Sequence, residues 1–184
     1  MTRLKVTVSS LEEALSLPCA SAVGVCVDAE SRESILAARD IFASLPVFTY
    51  TIAEIEPSFA AQALRVYELA RPHALEIAGS EKPEYLHALR SKLGCHVIKA
   101  VEGSTREVER YAGVCDAIAV RLPEPEIELG LELKEITDKP IIFSFSDCTG
   151  MEEFLSRVKP FGVSLRFEQL KGQRINSILA KLSP

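Results

Sequence analysis

Five charged side chains interrupt short apolar stretches of the sequence. They are Lys5, Glu76, Lys99, Arg121 and Arg166. Buried charges persist in proteins only when they are paired or hydrogen-bonded. Four of the five are cations, so they either form ion pairs with Glu76 and with acids of nearby loops, or bind an anionic ligand such as a carboxylate or a phosphate. The loop acids available for the first alternative are Asp28, Glu102 and Asp147.

The apolar stretches alternate with amphipathic segments along the chain. This order predicts repeated strand–helix units and a parallel sheet. The predicted strands cover 4–8, 22–27, 47–52, 73–78, 96–101, 116–122, 141–145 and 162–167. The predicted helices cover 10–17, 31–43, 57–70, 83–93, 104–111, part of 126–137, 150–158 and 173–182.

Eight such units in 184 residues predict a compact α/β fold, the (β/α)8 TIM barrel, with short loops. Barrels of this type usually have about 200 residues or more, so the alternative by length is an open, doubly wound sheet of five or six strands. The count of eight units argues against the open sheet, and no GxGxxG or GxxxxGK[ST] motif follows a predicted strand. No linker or low-complexity tract divides the chain, so we expect residues 1–184 to form one domain.

The alternation of side chains along each strand predicts which residues point into the barrel. In the sixth strand the apolar residues at 118, 120 and 122 suit the helix-facing side, so Arg121 should point inward. We therefore expect a polar mouth at the carboxyl-terminal end of the strands, where such barrels carry their active sites. The same reasoning directs inward Lys5, Thr7, Glu76, Lys99, Ser144, Ser146, Ser164 and Arg166.

Several short stretches occur in an order typical of one enzyme family. They are Lys-Val at 5–6, Ser-Leu-Glu-Glu-Ala at 10–14, Ala-Val-Gly-Val at 22–25, Glu-Lys-Pro-Glu-Tyr-Leu at 81–86, Val-Ile-Lys-Ala at 97–100, Asp-Ala-Ile at 116–118 and Val-Lys-Pro-Phe-Gly-Val at 158–163. On these stretches the chain resembles the phosphoribosylanthranilate isomerase family of tryptophan biosynthesis. The resemblance implies a barrel that uses no cofactor and catalyses the Amadori rearrangement of N-(5′-phosphoribosyl)anthranilate to a 1-amino-1-deoxyketose.

That rearrangement needs a general acid to open the furanose ring and a general base to take the C2 proton. The resemblance places Thr7 at the position of the family's catalytic cysteine and Arg121 at the position of its catalytic aspartate. Threonine is a poor base without an activating partner, and arginine does not release its proton. Two hypotheses follow: an isomerase without its usual proton-transfer pair, or a non-catalytic relative that binds a small phosphate- or carboxylate-bearing ligand or a protein partner.

The resemblance also implies a phosphate site in the loops after the seventh and eighth strands. Those loops lack the family's glycines here, and they contain Asp147 and Glu168, which would repel a phosphate. Arg32 matches a family arginine that meets the anthranilate carboxylate. The candidate ligand-binding residues are therefore Arg32, Ser144, Ser146, Ser164 and Arg166.

Composition limits the partners of the protein. A net charge of −5 provides no basic surface for nucleic acid, and no apolar run reaches the roughly 18 residues of a membrane span. We expect a cytoplasmic protein, monomeric or homodimeric, whose partner is a small anionic ligand.

The five cysteines form no CxxC pair, so no metal site is predicted. Only Cys148 is expected to be an exposed thiol.

The three histidines suggest no catalytic cluster. His73 and His96 stand at the starts of predicted strands, the end of a barrel that serves stability, and His87 lies within a predicted helix. The aromatic residues with strand spacing are expected in the core, and these are Phe48, Tyr50, Phe143 and Phe145.

Overall fold

A computed structural model of the protein describes residues 2–17 and 20–171. Within these residues eight parallel strands close into a barrel, in which each strand pairs with the next along the chain and the last pairs with the first. The predicted (β/α)8 fold is therefore confirmed. The strands are β1 (Arg3–Val8), β2 (Ala22–Cys26), β3 (Tyr50–Ile55), β4 (Ala74–Ile77), β5 (His96–Glu102), β6 (Ala117–Leu122), β7 (Ile141–Phe145) and β8 (Gly162–Arg166).

A helix follows each of the first seven strands, and a short 3₁₀ helix follows β8. The predicted eighth helix at 173–182 lies outside the described residues. The helices are α1 (Leu11–Leu15), α2 (Arg32–Ser44), α3 (Ala60–Ala70), α4 (Pro83–Arg90), α5 (Thr105–Ala112), α6 (Ile127–Ile136) and α7 (Met151–Val158), with the 3₁₀ helix at Phe167–Lys171.

Local signals set several helix starts. The hydroxyl of Ser10 accepts the backbone N–H of Glu13 and begins α1, and that of Ser31 accepts the N–H of Ser34 at the start of α2. Pro83 is the first residue of α4, where its missing N–H costs no helical hydrogen bond.

Two apolar layers hold the barrel. The outer layer lies between strands and helices and includes Ile118, Val120 and Leu122, as the alternation in β6 predicts. The inner layer fills the barrel with unusually small side chains for this fold. It consists of Ile52, Ala74, Ile98, Ala100, Ala117, Ala119 and Ile142, with Ala22, Tyr50 and Ala78 at its margin.

The third strand lies three residues later than the sequence predicts. Val47 and Phe48 precede β3 and are 89% and 100% exposed, so the prediction that Phe48 is a core residue was wrong. The register with the neighbouring strands sets the true bounds, because Tyr50 pairs with Ala22 of β2. As a result Glu54 lies inside the barrel wall, where the predicted strand had already ended.

The predicted direction of Lys99 in β5 was also wrong. The inner layer contains Ile98 and Ala100, so Lys99 faces the helices, where it is only 1% exposed. Its ammonium pairs with Glu81 at 2.8 Å and lies 5.2 Å from the ring centre of Tyr111.

The same ammonium also donates to the backbone carbonyls of Ile77 (3.3 Å) and Gly79 (2.6 Å). Lys99 therefore fixes the loop between β4 and α4 and is not part of the barrel mouth. Its partner acid is Glu81, not one of the three loop acids that the sequence suggested.

The amino-terminal end of the barrel contains a cavity of about 590 Å³. The inward residues that border it are small, notably Ala22, Ala117 and Gly162. Two of its polar side chains bind each other, since Tyr50 Oη lies 2.5 Å from His96 Nδ1. As predicted, His96 stands at the start of a strand, and this end serves stability in barrels of this class.

Candidate functional site

Five of the predicted site residues meet at the carboxyl-terminal mouth of the barrel. In the strand register Thr7 is aligned with Arg166, Arg121 with Ser144, and Ser144 with Ser164. A cavity of about 590 Å³ lies at the opposite end, where Tyr50 and His96 bind each other. We place the candidate site at the carboxyl-terminal mouth, where polar groups without partners among the described residues converge.

The cationic side of this mouth is formed by β6, β7 and β8. Arg121 and Arg166 are exposed at the ends of their strands, and neither forms an ion pair within residues 2–17 and 20–171. The hydroxyls of Ser144 and Ser164 likewise make no hydrogen bond to a described residue. As far as the described part of the chain goes, these four side chains have no competing partner and can bind an anion.

The other two predicted ligand-binding residues lie further out. Ser146 follows β7 and is exposed; its backbone N–H donates to the carbonyl of Leu122. Arg32 is the exposed first residue of α2, and no contact within the described part of the chain connects it with Arg121 or Arg166.

The backbone of the last two loops is occupied by protein groups. The N–H of Arg166 donates to Gln169 Oε1 at 2.7 Å, and Gln169 Nε2 donates to the carbonyl of Phe145 at 2.9 Å. In the loop after β7, Asp147 Oδ1 accepts from the N–H and hydroxyl of Thr149, both at 2.8 Å. An anion bound here must therefore be held by side chains more than by these backbone amides.

The acidic side of the mouth is organised around Glu54. Lys5 Nζ lies 2.9 Å from Glu54 Oε1 and also pairs closely with Glu76. The hydroxyl of Thr7 donates to Glu54 Oε1 at 2.5 Å, and the thiol of Cys26 donates to Glu54 Oε2 at 3.5 Å. Two carboxylate groups thus share one buried ammonium. Glu54 was not among the predicted site residues, because the predicted third strand ended at residue 52.

Gly24 makes room for this arrangement. A Cβ atom at this position would lie 2.8 Å from Lys5 Cε and 3.1 Å from Thr7 Oγ1, and it would collide with the carboxylate of Glu54. An interior glycine in a strand often marks a close approach of this kind. Gly24 was therefore the one sequence signal that pointed to a crowded polar group beside β2.

The charges of the cluster support one another. Burial alone would lower the pKa of Lys5, but Glu76 and Glu54 outweigh it and raise that pKa above its ordinary value. Burial would raise the pKa of Glu54, and the ammonium of Lys5 outweighs it, so the pKa of this carboxyl is lowered. At neutral pH both groups are charged.

Cys26 is the exposed cysteine of the described residues, whereas Cys148 is half-buried, contrary to prediction. The sulfur of Cys26 lies against the protein beside Glu54. Desolvation there, followed by the negative charge of Glu54, raises the pKa of the thiol to about 11, and the nearby cations Lys5 and Arg166 offset this only in part. Cys26 is therefore a neutral thiol at physiological pH.

The described residues contain no group of three or more His, Cys, Asp or Glu side chains that could hold a metal ion. None of the helices that the structure describes has the length and apolar character needed to cross a bilayer. The chemistry available at the mouth is that of two arginines, several hydroxyls, a thiol and the carboxylates of Glu54 and of Glu102, the exposed last residue of β5, which is aligned with Arg121.

No family model matches the chain. A curated relative, the N-(5′-phosphoribosyl)anthranilate isomerase of Methanothrix thermoacetophila, is 32% identical over 132 residues. The match covers 67% of this chain and 62% of that enzyme, so it spans less than two thirds of the relative's length.

Solved structures of phosphoribosylanthranilate isomerases share the fold. The enzyme of Thermus thermophilus superposes with a TM-score of 0.77 at 22% identity and covers 99% of this chain and 100% of its own. A second isomerase, in complex with reduced 1-(o-carboxyphenylamino)-1-deoxyribulose 5-phosphate, gives a TM-score of 0.73 at 20% identity, covering 90% of this chain and 87% of its own.

Proposed function

We propose that this chain, a phosphoribosylanthranilate isomerase-like (β/α)8 barrel, binds a small ligand that carries phosphate and carboxylate groups at its carboxyl-terminal mouth. The observation that carries the proposal is the pair Arg121 and Arg166. Both stand at strand ends of the mouth without a carboxylate partner in the part of the chain that the structure describes. Charge-assisted hydrogen bonds to arginine are the strongest contacts that such anions make with proteins.

The class of ligand follows from the arrangement of these groups and from the solved relative. The molecule bound in that relative carries one phosphate and one carboxylate. In barrels of this class phosphate commonly binds near β7 and β8, which here carry Ser144, Ser164 and Arg166. We assign the second anionic group to Arg121, which is aligned with Ser144 on the neighbouring β6.

The side chains at positions 7 and 121 argue against the family's own proton-transfer pair in this barrel. Arginine, the residue type at position 121, does not act as a proton donor or acceptor in proteins. The hydroxyl of Thr7 donates to Glu54, which stabilises it as a hydroxyl rather than as a base. Ligand binding is therefore the primary function that we assign to the mouth, and any isomerisation must use another proton acceptor.

Titration calorimetry with inorganic phosphate and with the reduced product analogue tests the binding. We expect both ligands to bind. Arg166→Ala and Arg121→Ala should each lower the affinity for the analogue by about tenfold or more, because each removes a charge-assisted contact of roughly 1.5–3 kcal/mol. Arg65→Ala is the matched control, since Arg65 is an exposed arginine on the outer helix α3. Absence of binding, or equal weakening by the control, would contradict the proposal.

A further inference from the structure

We propose that Glu54 is the proton acceptor of the mouth, so that acid–base chemistry in this barrel has moved to the third strand. The inference rests on the proposed ligand binding, because a proton acceptor needs a bound ligand to act upon. Glu54 lies in β3, whereas the two catalytic positions of the family correspond here to Thr7 in β1 and Arg121 in β6.

The hydrogen bonds of Glu54 leave one oxygen with spare capacity. A carboxylate has about four lone-pair sites. Oε1 receives the ammonium of Lys5 at 2.9 Å and the hydroxyl of Thr7 at 2.5 Å. From the residues that the structure describes, Oε2 receives only the thiol of Cys26, at 3.5 Å, and a thiol is a weak donor. Oε2 is therefore the atom that can accept a proton.

Access distinguishes Glu54 from Glu76, the other carboxylate that shares Lys5. The side chain of Glu54 is 16% exposed, whereas that of Glu76 is 6% exposed. Exposed Cys26 lies beside Oε2, and Arg166 is near enough to that thiol to affect its pKa. The accessible oxygen of Glu54 thus faces the same mouth as the cation assigned to the ligand.

The surroundings keep Glu54 in the form that a base requires. Lys5 lowers the pKa of this carboxyl despite its burial, so it is ionised at neutral pH. When Glu54 takes up a proton, Lys5 still pairs with Glu76, so neutralising Glu54 does not leave a buried ammonium without a partner. Gly24 holds the space in which the carboxylate sits.

With N-(5′-phosphoribosyl)anthranilate in its open-chain imine form, protonated on nitrogen, the step is a proton transfer without net oxidation or reduction. The C2–H bond breaks and its proton forms an O–H bond on Glu54 Oε2. The electron pair of that bond forms the C1–C2 double bond, and the C1–N π pair becomes the lone pair of the N–H nitrogen, which gives a neutral enolamine. Protonated Glu54 then returns its proton to C1 and the enol hydroxyl releases its proton to water, which gives the ketone and restores the ionised carboxylate of Glu54.

The experiment measures turnover of N-(5′-phosphoribosyl)anthranilate by the full chain and, separately, binding of the reduced product analogue by calorimetry. We expect Glu54→Gln to lower kcat by about a hundredfold or more, the usual contribution of a general base, while analogue affinity stays within about threefold. Glu54→Asp should retain part of the activity. Glu68→Gln, at an exposed position of α3, is the matched control and should leave kcat unchanged.

The pH profile separates a proton acceptor from a merely structural residue. The wild-type rate should fall at acidic pH as Glu54 becomes protonated, and this acidic limb should disappear in Glu54→Gln, whose fold is checked by circular dichroism. Wild-type kcat in Glu54→Gln overturns the inference. A wild-type chain that binds the analogue but shows no turnover also overturns it and leaves the proposed binding function intact, whereas loss of analogue binding in the wild type removes both.

Discussion

Lys5 is the residue on which the electrostatics of the barrel interior depend. Its ammonium is 4% exposed and is shared by the carboxylates of Glu54 and Glu76. A buried ion pair adds little by itself, but removal of one partner leaves a charge without compensation in a medium that solvates it poorly. For this cluster the loss of one cation would leave two such carboxylates.

We predict that Lys5→Met lowers the free energy of unfolding at pH 7.5 by about 3–5 kcal/mol. Because Lys5 lowers the pKa of Glu54, its stabilising effect is present above the ordinary glutamate pKa of about 4.3 and is lost as the pH falls through the lowered native value. The difference from wild type should therefore shrink at pH 3.5. Urea unfolding at both pH values measures this difference in the free energy of unfolding, with Lys92→Met, at an exposed position, as the control. A difference between Lys5→Met and wild type that does not change with pH would contradict the prediction.

Strand alternation predicted the direction of Lys5, Thr7 and Arg121 correctly but not that of Lys99. The prediction directed Lys99 into the barrel, whereas alternation in β5 with Ile98 and Ala100 inward directs it outward. Lys99 instead faces the helices, where the ring of Tyr111 covers its ammonium and Glu81 pairs with it. Both partners belong to other elements, so a pattern within β5 could not identify them.

The third strand shows how an element boundary decides which residues belong to a site. Residues 47–55 form one continuous run of β-branched, aromatic and apolar residues, in which Glu54 is the single charge. Only pairing with the neighbouring strands selects Tyr50–Ile55 from this run. The number and order of elements were thus predictable from local pattern, whereas Glu54 was not, because its place depends on contacts with β2 and β4.

The 3₁₀ helix after β8 ties together the ends of the last two strands through Gln169. We predict that Gln169→Ala lowers the free energy of unfolding by about 1–2 kcal/mol, since the partly buried carbonyl of Phe145 and the exposed N–H of Arg166 both lose their partner. Phosphate affinity should not fall, because the N–H of Arg166 becomes free to bind the anion. Glu168→Ala, at an exposed neighbouring position, should change stability by less than about 0.5 kcal/mol.

Denaturant unfolding and phosphate titration of both variants check this prediction. Equal stability of the two variants would show that Gln169 does not hold the strand ends together. A large loss of phosphate affinity in Gln169→Ala would show that the 3₁₀ helix itself contacts the anion.

At the scale of the whole molecule, the two ends of the barrel differ in packing and therefore in function. At the carboxyl-terminal end the side chains of Lys5 and Thr7 from β1 and of Glu54 from β3 are crowded around Gly24, which restricts their positions. At the amino-terminal end the small inward residues leave a cavity of about 590 Å³. The carboxyl-terminal end therefore fixes the positions of its polar side chains, whereas the amino-terminal end contains unfilled space.

Two glycine substitutions test this asymmetry, because Gly24 and Gly162 both lie in strands with ordinary negative φ angles. A Cβ atom at Gly162 would make only ordinary contacts, 3.4 Å from the carbonyl oxygen of Arg3 and 3.5 Å from Ile142 Cγ1. We therefore predict that Gly162→Ala stabilises the protein by about 0.4–1 kcal/mol, through the reduced freedom of the unfolded chain, and leaves ligand binding unchanged.

Gly24→Ala should instead lower the free energy of unfolding of the protein by about 1–3 kcal/mol, the usual cost of overpacking. The carboxylate of Glu54 can avoid the new methyl group only by giving up its bonds to Lys5 and Thr7. Thermal unfolding of the two variants, together with titration of the product analogue, measures both effects. If Gly24→Ala were tolerated as well as Gly162→Ala, the crowded cluster around Glu54 would not be the constraint that fixes this end of the barrel.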